Sequence, residues 1–384
     1  MLDKILLFPY IAVLKIRHLM YDKGFILKSV TPEVPTICLG NVTAGGTGKT
    51  PHTELLLDLL QKSDEWAYRN VAVLSRGYKR KSKKFQQVSM DGSANFYGDE
   101  PLQIKKKFPA VTVAVDKDRV EGCHFLAHPD DLDRAKGGRK CLNRDFPTAD
   151  VIVLDDAFQY RKLKATYNII LVDYNRPVTK DRMLPFGRLR DLPSRMRAAD
   201  SIFITKCPQY MEDEEKAAFL TLLGYKDFDS ETCTAVNSKG GVQKVFFTCI
   251  NYQPMKPVYN EGNPRYIYSK KLVLFTGIAK DLPLRQYLSG SYKIVKRFTF
   301  GDHHKYTRSD IRSIMAASTA NPTAAIATTE KDAQRLLDCP DVPARIRERI
   351  FEVPISVKFL TEHEELVFTS TLLGELRSEA TMNK

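Results

Sequence analysis

A glycine-rich segment that follows a short apolar run contains the residue types that bind nucleotide phosphates. Residues 36–39 are apolar or β-branched, and the next segment ends in Gly45-Gly46-Thr47-Gly48-Lys49-Thr50. Glycines allow backbone N–H groups to surround phosphate oxygens, and the first turn of a following helix adds a favourable dipole. A lysine at this spacing can reach the β- and γ-phosphates, and the adjacent threonine hydroxyl can ligate Mg²⁺. The pattern predicts a P-loop that binds ATP through Gly45, Gly46, Thr47, Gly48, Lys49 and Thr50.

One position of this segment departs from the strict P-loop pattern G-x-x-x-x-G-K-[ST]. The pattern requires glycine where this chain has Thr43. The remaining glycines still lie between a predicted strand and a predicted helix, whose apolar stripe consists of Leu55, Leu56, Leu59 and Leu60. This context favours a phosphate-binding turn over a turn without a ligand.

Two consecutive aspartates at the end of another apolar run are candidate metal ligands. Asp155 and Asp156 follow the apolar residues 151–154. A carboxylate at the carboxyl end of a parallel strand faces the crevice where such sheets bind ligands, and P-loop proteins hold Mg²⁺ there. We therefore expect Mg²⁺ to be held by Thr50, Asp155 and Asp156, and the sequence leaves open which aspartate contacts the metal.

Short apolar runs alternate with helical patterns along the chain, which is typical of a parallel sheet covered on both faces. The other runs before a region rich in proline, asparagine and tyrosine are residues 71–74, 111–115, 151–154, 169–172, 202–205 and 245–252. A second αβ pattern follows, with runs at 272–276, 324–328 and 350–353. We predict an α/β protein made of an N-terminal helix (1–30), a P-loop domain with a parallel sheet (31–252), a linker (253–270) and a smaller α/β domain that closes over the site (271–384).

The N-terminal segment combines an apolar run with basic residues. Residues 2–14 are largely apolar, but the run is shorter than the roughly 20 residues that span a bilayer. Apolar residues then recur at helical spacing among Lys15, Arg17, His18 and Lys23. This pattern predicts a helix that lies on an anionic membrane surface. A helix packed only against its own domain is the alternative.

Composition excludes some classes of protein. The net charge of +13 attracts polyanions, whether nucleic acid, anionic lipid or phosphorylated metabolites. Zinc-finger spacing, aromatic RNA-binding strands and basic-region heptads are absent from the sequence, so we expect no nucleic-acid partner. The seven cysteines include no C-x-x-C pair, which fits reduced cytosolic thiols better than a disulfide framework.

Several motifs resemble those of the tetraacyldisaccharide 4′-kinases, P-loop enzymes of lipid A biosynthesis. The phosphate loop is preceded by Gly40-Asn41-Val42-Thr43 and followed by Pro51, and the paired aspartates begin Asp155-Asp156-Ala157-Phe158-Gln159-Tyr160-Arg161-Lys162-Leu163. Further matches in family order are Ser75-Arg76-Gly77-Tyr78, Gly98-Asp99-Glu100-Pro101, Leu184-Pro185-Phe186-Gly187-Arg188-Leu189-Arg190, Phe275-Thr276-Gly277-Ile278-Ala279, Phe300-Gly301-Asp302-His303-His304 and Thr329-Glu330-Lys331-Asp332-Ala333. The resemblance extends over about residues 34–335.

The resemblance implies a reaction and a location. It implies transfer of the γ-phosphate of ATP to the 4′-hydroxyl of an acylated glucosamine disaccharide 1-phosphate, with Mg²⁺ as the metal. It also implies a monomer attached to the cytoplasmic face of the bacterial inner membrane through its N-terminal helix, and a cleft between two domains.

The resemblance also implies roles for single residues. Asp99 is expected to accept the hydroxyl proton with help from His303, although the adjacent His304 leaves the choice of histidine open. From the residues alone, Asp99 could instead be a helix cap and His303 a structural histidine. Lys49 and Arg190 are expected to neutralise phosphate charge. The expected substrate contacts are Arg76, Glu100 and Gln159.

Three positions depart from the family pattern. Ala157 replaces a glycine, Tyr160 replaces a histidine, and Asp191 stands where the family usually has glutamate. The phosphate loop and the paired aspartates are unaffected, so the departures bear on positions 160 and 191 rather than on the reaction.

Other functions fit parts of the sequence. One is a P-loop kinase of a soluble small molecule, and another is a nucleotide-switched ATPase or GTPase. A GTPase requires an N-K-x-D-like motif that reads the base, and Ile204-Thr205-Lys206-Cys207 has only the lysine. A membrane-bound structural protein with a degenerate loop is a third, which the intact Lys49, Thr50 and Asp155 disfavour.

Overall fold

The computed structural model describes residues 2–382 except 25, 135 and 303. In the described part of the chain the strands are β1 (Thr36–Gly40), β2 (Val71–Ser75), β3 (Gln86–Gln87), β4 (Thr112–Val115), β5 (Val151–Asp155), β6 (Tyr167–Asp173), β7 (Ser201–Thr205), β8 (Tyr225–Asp229), β9 (Thr234–Asn237), β10 (Val242–Tyr252), β11 (Lys256–Pro257), β12 (Lys271–Thr276), β13 (Lys293–Thr299), β14 (Ala325–Thr329), β15 (Ile350–Val353) and β16 (Ile355–Phe359).

The α-helices of the same residues are α1 (Leu2–Lys23), α2 (Lys49–Lys62), α3 (Ala94–Tyr97), α4 (Asp99–Lys107), α5 (Arg119–Ala127), α6 (Asp213–Leu222), α7 (Arg265–Tyr268), α8 (Leu282–Ser289), α9 (Arg308–Ala320), α10 (Glu330–Leu337), α11 (Ala344–Arg347) and α12 (Glu362–Met382). Short 3₁₀ helices cover Pro129–Leu132, Gly138–Lys140, Val178–Lys180 and Pro193–Ala198.

A large sheet forms the main body, in the strand order β3-β4-β2-β5-β1-β6-β7-β10-β9-β8, with β16 also paired to β10. The neighbours from β4 to β10 in this order are parallel to each other. At the two margins β3, β8, β9 and β16 pair antiparallel. The predicted α/β fold with a large parallel sheet is therefore confirmed.

The central strands are apolar along their whole length because both faces of the sheet are covered. In β5, Ile152 and Leu154 join a core with Leu14 of α1, whereas Val151 and Val153 join a core with Leu56 of α2. All five residues of β5 are buried. Such continuous apolar strands are typical of parallel sheets between two helical layers.

A second sheet has the order β11-β15-β14-β12-β13, and all of its pairs except β11–β15 are parallel. It begins inside the predicted linker, because β11 lies there. The predicted smaller domain (271–384) includes residues at its carboxyl end that belong to the large-sheet unit. Strand β16 returns to the large sheet, and Phe368 and Leu372 of α12 are buried in a large-sheet core with Phe359.

Helix α1 lies against the large-sheet unit with one side. Leu7 and Leu14 are buried in the core of that unit. On the other side, more than half of the surface is exposed in Phe8, Val13, Ile16 and Leu19. Among the residues that the structure describes, no helix combines the length and apolar character needed to cross a membrane. One face of α1 therefore packs against its own domain, as the alternative prediction for this helix stated. The opposite face is apolar and exposed.

Replacing Gly40 by alanine is expected to lower the free energy of unfolding by about 3 kcal/mol. A Cβ atom on Gly40 would lie 2.3 Å from Cβ of Phe158. Neither atom can rotate away, because each is fixed to its own backbone, so the segment after Asp156 would have to move. Urea unfolding measures the change.

The matched control is Gly374→Ala in α12, where a Cβ meets no atom within 4 Å. This substitution is expected to raise the free energy of unfolding by up to about 1 kcal/mol, since alanine favours helix over glycine. Equal changes for the two variants would contradict the close contact at Gly40.

The pH dependence of stability should contain a contribution from Glu352 in β15. Burial, together with the nearby Glu330, raises the pKa of Glu352 from 4.5 to about 7. Between these values the folded state binds more protons than the unfolded state, so this group lowers stability as pH rises towards 7. Glu352→Gln is therefore expected to raise the free energy of unfolding at pH 8 by about 3 kcal/mol and to change it little at pH 4.

Urea titrations at the two pH values measure this effect, and Glu375→Gln on the exposed side of α12 is the control. An increase of the same size at both pH values would mean that Glu352 carries no such penalty.

Candidate active site

The glycine-rich loop connects the end of β1 to the start of α2 at the carboxyl edge of the large sheet. Gly45, Gly46 and Gly48 have φ angles of 74°, 69° and 89°, which glycine adopts without strain. Gly48 precedes α2, so that Lys49 and Thr50 begin the helix. The first N–H groups of a helix lack partners within it and can bind an anion. The loop therefore lies between a strand and a helix, and its binding of phosphate stays a prediction.

Side chains and backbone groups around the loop fix its shape. The amide of Asn41 donates to Oγ1 of Thr47 at 2.5 Å, and the hydroxyl of Thr205 donates to the carbonyl of Thr47 at 3.0 Å. Lys206 donates to the carbonyl of Gly46 and lies 2.7 Å from Asp173. Lys206 is the residue that this chain shares with the base-reading motif of GTPases. In the structure it contacts the glycine-rich loop and Asp173.

Basic side chains converge on the second aspartate after β5. Nζ of Lys49 lies 3.8 Å from Oδ2 of Asp156. Arg190 donates to both carboxylate oxygens of Asp156 and, at 2.6 Å, to the side-chain oxygen of Asn41. Burial raises the pKa of Asp156, but Lys49 and Arg190 outweigh it and hold the pKa below its ordinary value. The structure thus brings together three residues that the sequence predicted to lie at the site.

Asp155, the first aspartate, has an open acceptor atom. Its Oδ2 accepts from the hydroxyl of Ser75 at 3.2 Å, whereas its buried Oδ1 has no hydrogen-bond partner among the residues that the structure describes. Burial, with Glu100 and Asp156 nearby, raises the pKa of Asp155 to about 7. An orphaned buried carboxylate oxygen is costly without a cation.

The donor atoms at this position fit Mg²⁺. Among the described residues, no three His, Cys, Asp or Glu side chains form a ready-made metal centre. Mg²⁺ usually binds through one or two carboxylates together with substrate phosphates and water. Asp155 and the buried Thr50 would supply such a partial set.

Residues of α10, from the smaller unit, contact the start of α4. Nε of Arg335 donates to Oδ2 of Asp99 at 2.7 Å, and Nη1 donates to Oδ1 of Asp332 at 2.9 Å and to the carbonyl of Gly277 at 3.0 Å. Asp99 is thus an acid held by the opposite unit. It is not a helix cap, because Gly98 precedes the helix and Asp99 is its first residue.

Glu100 makes the second contact between these helices. Lys331 donates to Glu100 at 2.5 Å. The charge of Lys331 holds the pKa of Glu100 below its ordinary value, because its effect is larger than the opposing effect of burial. Lys49 also lowers this pKa. The predicted substrate residue therefore lies near the phosphate lysine and is paired across the cleft.

Lys331 and Arg335 were not among the site residues predicted from the sequence. Their spacing of four residues on α10 places them on one helix face. This spacing was the available signal, but it did not identify their partners.

Gln159 holds the glycine-rich loop from a third side. The side-chain amide of Gln159 donates to the backbone carbonyl of Asn41. The backbone carbonyl of Gln159 accepts from Arg17 of α1 at 3.2 Å. Arg76, which follows β2, is exposed. Of the predicted substrate residues, Gln159 and Glu100 are bound to protein groups and Arg76 points to solvent.

Arg119 is a further buried cation near the aspartates that the sequence analysis missed. Its Nε is buried without a partner among the described residues. Burial and the neighbouring Arg76 lower its pKa, while Asp156 and Asp155 oppose that shift. Its guanidinium lies 5.7 Å from the ring centroid of Tyr160.

The positions that depart from the family pattern have partners of their own. The hydroxyl of Tyr160 donates to Asp118 at 2.7 Å. Asp191 lies 2.7 Å from Nε2 of His18, and both side chains are buried. Position 191 therefore binds α1 to the loop that carries Arg190.

Of the two candidate histidines, His303 lies outside the described residues. His304 stacks on Phe300, with ring centroids 4.5 Å apart, and its Nε2 lies 2.9 Å from Asp310 of α9. The contacts of His304 are thus within the smaller unit.

Comparisons with known proteins identify the family. The model of the tetraacyldisaccharide-1-phosphate 4′-kinases matches residues 4–373. Curated tetraacyldisaccharide 4′-kinases from Phocaeicola vulgatus and from Porphyromonas gingivalis strain W83 are each 36% identical to this chain. The first comparison covers 95% of this chain and 92% of the relative, the second 94% and 93%.

A solved structure gives the same assignment. It is the "apo" form of LpxK from Aquifex aeolicus in complex with ATP, with 28% identity and a TM-score of 0.67 over 97% of this chain and 99% of that one. Sequence motifs, fold and near-complete coverage agree, and the chain belongs to the tetraacyldisaccharide 4′-kinase family.

Proposed function

We propose that this chain transfers the γ-phosphate of ATP to the 4′-hydroxyl of tetraacyldisaccharide 1-phosphate through the site at the carboxyl edge of its large sheet. As a member of its family it is an ATP-dependent kinase of lipid A biosynthesis. The main support for the proposed site is that Lys49, at the end of the glycine-rich loop, lies close to Asp155 and Asp156. Asp99, at the start of α4, is held by Arg335 of the smaller unit.

The loop and the start of α2 bind the triphosphate. Gly45, Gly46, Thr47 and Gly48 present backbone N–H groups, and Lys49 neutralises the β- and γ-phosphates. Thr50 and Asp155 would hold Mg²⁺, which supplies positive charge against the phosphate oxygens. Asp156 keeps Lys49 and Arg190 in place until the nucleotide arrives, since it contacts both.

Asp99 accepts the proton of the attacking hydroxyl. Phosphoryl transfer relies on positioning and charge neutralisation more than on a strong base, and Arg335 fixes the Asp99 carboxylate at 2.7 Å. Because Arg335 belongs to the smaller unit, closure of that unit on α4 sets the position of Asp99. His303 remains the proposed assistant of Asp99.

The lipid substrate meets the remaining basic and polar groups. Arg190 neutralises the negative charge of the transferring phosphate or binds the 1-phosphate of the substrate. Its guanidinium is already aligned by Asp156 and Asn41. Arg76, Glu100 and Gln159 complete the acceptor side.

The protein works as a monomer on the cytoplasmic face of the inner membrane. The exposed apolar face of α1, formed by Phe8, Val13, Ile16 and Leu19, lies in the interface, while Leu7 and Leu14 hold the helix to the protein. Since α1 also contacts Gln159 through Arg17 and Asp191 through His18, the membrane-facing helix is joined to the acceptor side of the site.

The other functions considered from the sequence have less support. The match to the family extends over nearly the whole chain, which does not favour a soluble-substrate kinase or a switch. Lys206, the one residue shared with a base-reading motif, bonds to the phosphate loop and to Asp173.

Label transfer in neutral detergent tests the proposal. Wild-type protein with γ-labelled ATP and Mg²⁺ should place label on tetraacyldisaccharide 1-phosphate, and mass spectrometry should locate the new phosphate on the 4′-oxygen. The same mixture with a deacylated disaccharide tests the soluble-substrate alternative, and release of free phosphate tests the ATPase. ATP hydrolysis without a labelled lipid would refute the proposed reaction.

A further inference from the structure

A cavity of about 460 Å³ lies between α1 and the 3₁₀ helix Pro193–Ala198. Lys15 of α1, Arg195, Arg197 and Lys239 line it. None of these four residues belongs to the proposed nucleotide or acceptor site. Among the described residues that line it, Asp22 is the one acid, and it is already bonded to Arg161 at 2.6 Å. The cavity therefore has a surplus of positive charge.

Arg195, which lines the cavity, has a donor atom without a partner among the described residues. Its Nε is buried and has no hydrogen-bond partner among the described residues. Its guanidinium lies 5.3 Å from the ring centroid of Phe158, which holds the side chain in place but accepts no conventional hydrogen bond. Burial and the adjacent Arg161 lower the pKa of Arg195, against Asp191 and Asp22. Arg195 as a whole is half-buried, so its guanidinium can still accept an anionic partner, and a phosphate fits its planar fork.

The second observation is the position of the cavity beside the exposed apolar face of α1. Leu19 belongs to both, since it lines the cavity and has more than half of its surface exposed. Val13 and Ile16 continue the exposed face. A ligand that fits both the basic cavity and the apolar face of α1 has an anionic phosphate with acyl chains attached beside it. Inorganic phosphate would satisfy only the cationic part.

We propose that this cavity binds the phosphate headgroup of an anionic membrane phospholipid, distinct from the substrate, and so orients the enzyme on the bilayer. The proposal rests on the proposed membrane-facing role of α1. The acyl chains lie with the exposed face of α1, and Arg195, Arg197, Lys15 and Lys239 surround the phosphate. The lipid that the enzyme docks on thus differs from the lipid that it phosphorylates.

The test is vesicle flotation of the full-length protein with phosphatidylcholine vesicles that contain or lack phosphatidylglycerol. Each basic residue near an anionic surface contributes a factor of about five to partitioning. Arg195→Gln should therefore lower partitioning to the anionic vesicles about fivefold, and Arg197→Gln with Lys239→Gln about 25-fold. The matched control is Lys81→Gln with Lys83→Gln, which removes the same charge from an exposed surface elsewhere and should change partitioning less than twofold.

A further variant guards against loss of the fold. Ser194→Glu places an anion in the cavity wall at an exposed position and leaves every cation in place. It should also remove most of the preference for anionic vesicles, with an unchanged unfolding midpoint. Equal partitioning of wild type, Ser194→Glu and the control pair would overturn the proposal.

Two added measurements separate the phospholipid from other sources of phosphate. The KM for tetraacyldisaccharide 1-phosphate in neutral detergent should not change in the Arg197→Gln and Lys239→Gln variant, and a tenfold increase would assign the cavity to the substrate instead. Millimolar inorganic phosphate should not displace the wild type from anionic vesicles, and displacement would make free phosphate the ligand. If no protein labels the lipid but the vesicle pattern holds, the proposed reaction fails and the headgroup site stands.

Discussion

Asp99→Asn is expected to lower the rate of phosphate transfer by about 10²- to 10⁴-fold, the usual range for loss of a positioned proton acceptor. The asparagine has nearly the same shape and still faces Arg335, so binding of ATP should change less than about twofold. The reason is that Asp99 lies at the start of α4 and contacts the smaller unit rather than the glycine-rich loop. Single-turnover label transfer in detergent measures the rate.

The control for this variant is Asp338→Asn, at the same boundary between the two units. Asp338 accepts from the backbone N–H of Asn95 at 3.2 Å, away from the glycine-rich loop and the paired aspartates. Its transfer rate should stay within about threefold of wild type. A normal rate for Asp99→Asn, or an equal loss in both variants, would mean that Asp99 contributes only to contact between the units.

Lys49→Met is expected to lower the transfer rate by about 10³-fold, as loss of a preorganised charge against a phosphate typically does. The methionine keeps much of the length of the side chain and removes its charge. Asp156 would then keep only Arg190 as a close partner. Steady-state assays at saturating ATP measure kcat separately from nucleotide affinity.

Lys62→Met at the opposite end of α2 is the matched control. Lys62 is exposed and lies 2.6 Å from Asp58 within its own helix. Because exposed pairs of this kind contribute little to stability, this variant should retain wild-type activity. A comparable loss of activity in Lys62→Met would point to damage to the helix rather than to the phosphate contact.

The large sheet was predictable from sequence because its central strands are buried on both faces. Strands β1, β5 and β7 are runs of apolar and β-branched residues that end at polar ones, and their predicted limits agree with the structure within one residue. The margins were not predictable in the same way. In β8 only Tyr225 is buried, Phe228 is half-buried, and the three charged residues are exposed. Such short, polar edge strands resemble loops.

The path of the last residues could not be read from local pattern. Strand β16 follows β15 after a single residue, yet it pairs with β10, which is about 100 residues earlier in the chain. Its apolar residues Val357 and Phe359 fit a core of the large sheet, but the same residues would suit the smaller sheet. Only the tertiary arrangement distinguishes the two.

Some residues of the candidate site could likewise be predicted from the sequence, and others could not. Residues 45–50 and the pair Asp155–Asp156 were found because their chemistry depends on short-range spacing, and the structure places them at one edge of the sheet. The partner of Asp99 was not found, because Arg335 lies 236 residues away and nothing local to either residue indicates the pair. Asp191 is a similar case, since its partner His18 belongs to α1.

The most direct test of the account is calorimetric titration of a non-hydrolysable ATP analogue with Mg²⁺ into wild type, Lys49→Met and Asp99→Asn. The nucleotide binds at the loop, whereas the acceptor is activated at α4. The affinity should therefore be at least about tenfold weaker for Lys49→Met, the loss expected for one charged hydrogen bond, and within about twofold of wild type for Asp99→Asn. Undiminished binding by Lys49→Met, or lost binding by Asp99→Asn, would contradict that separation.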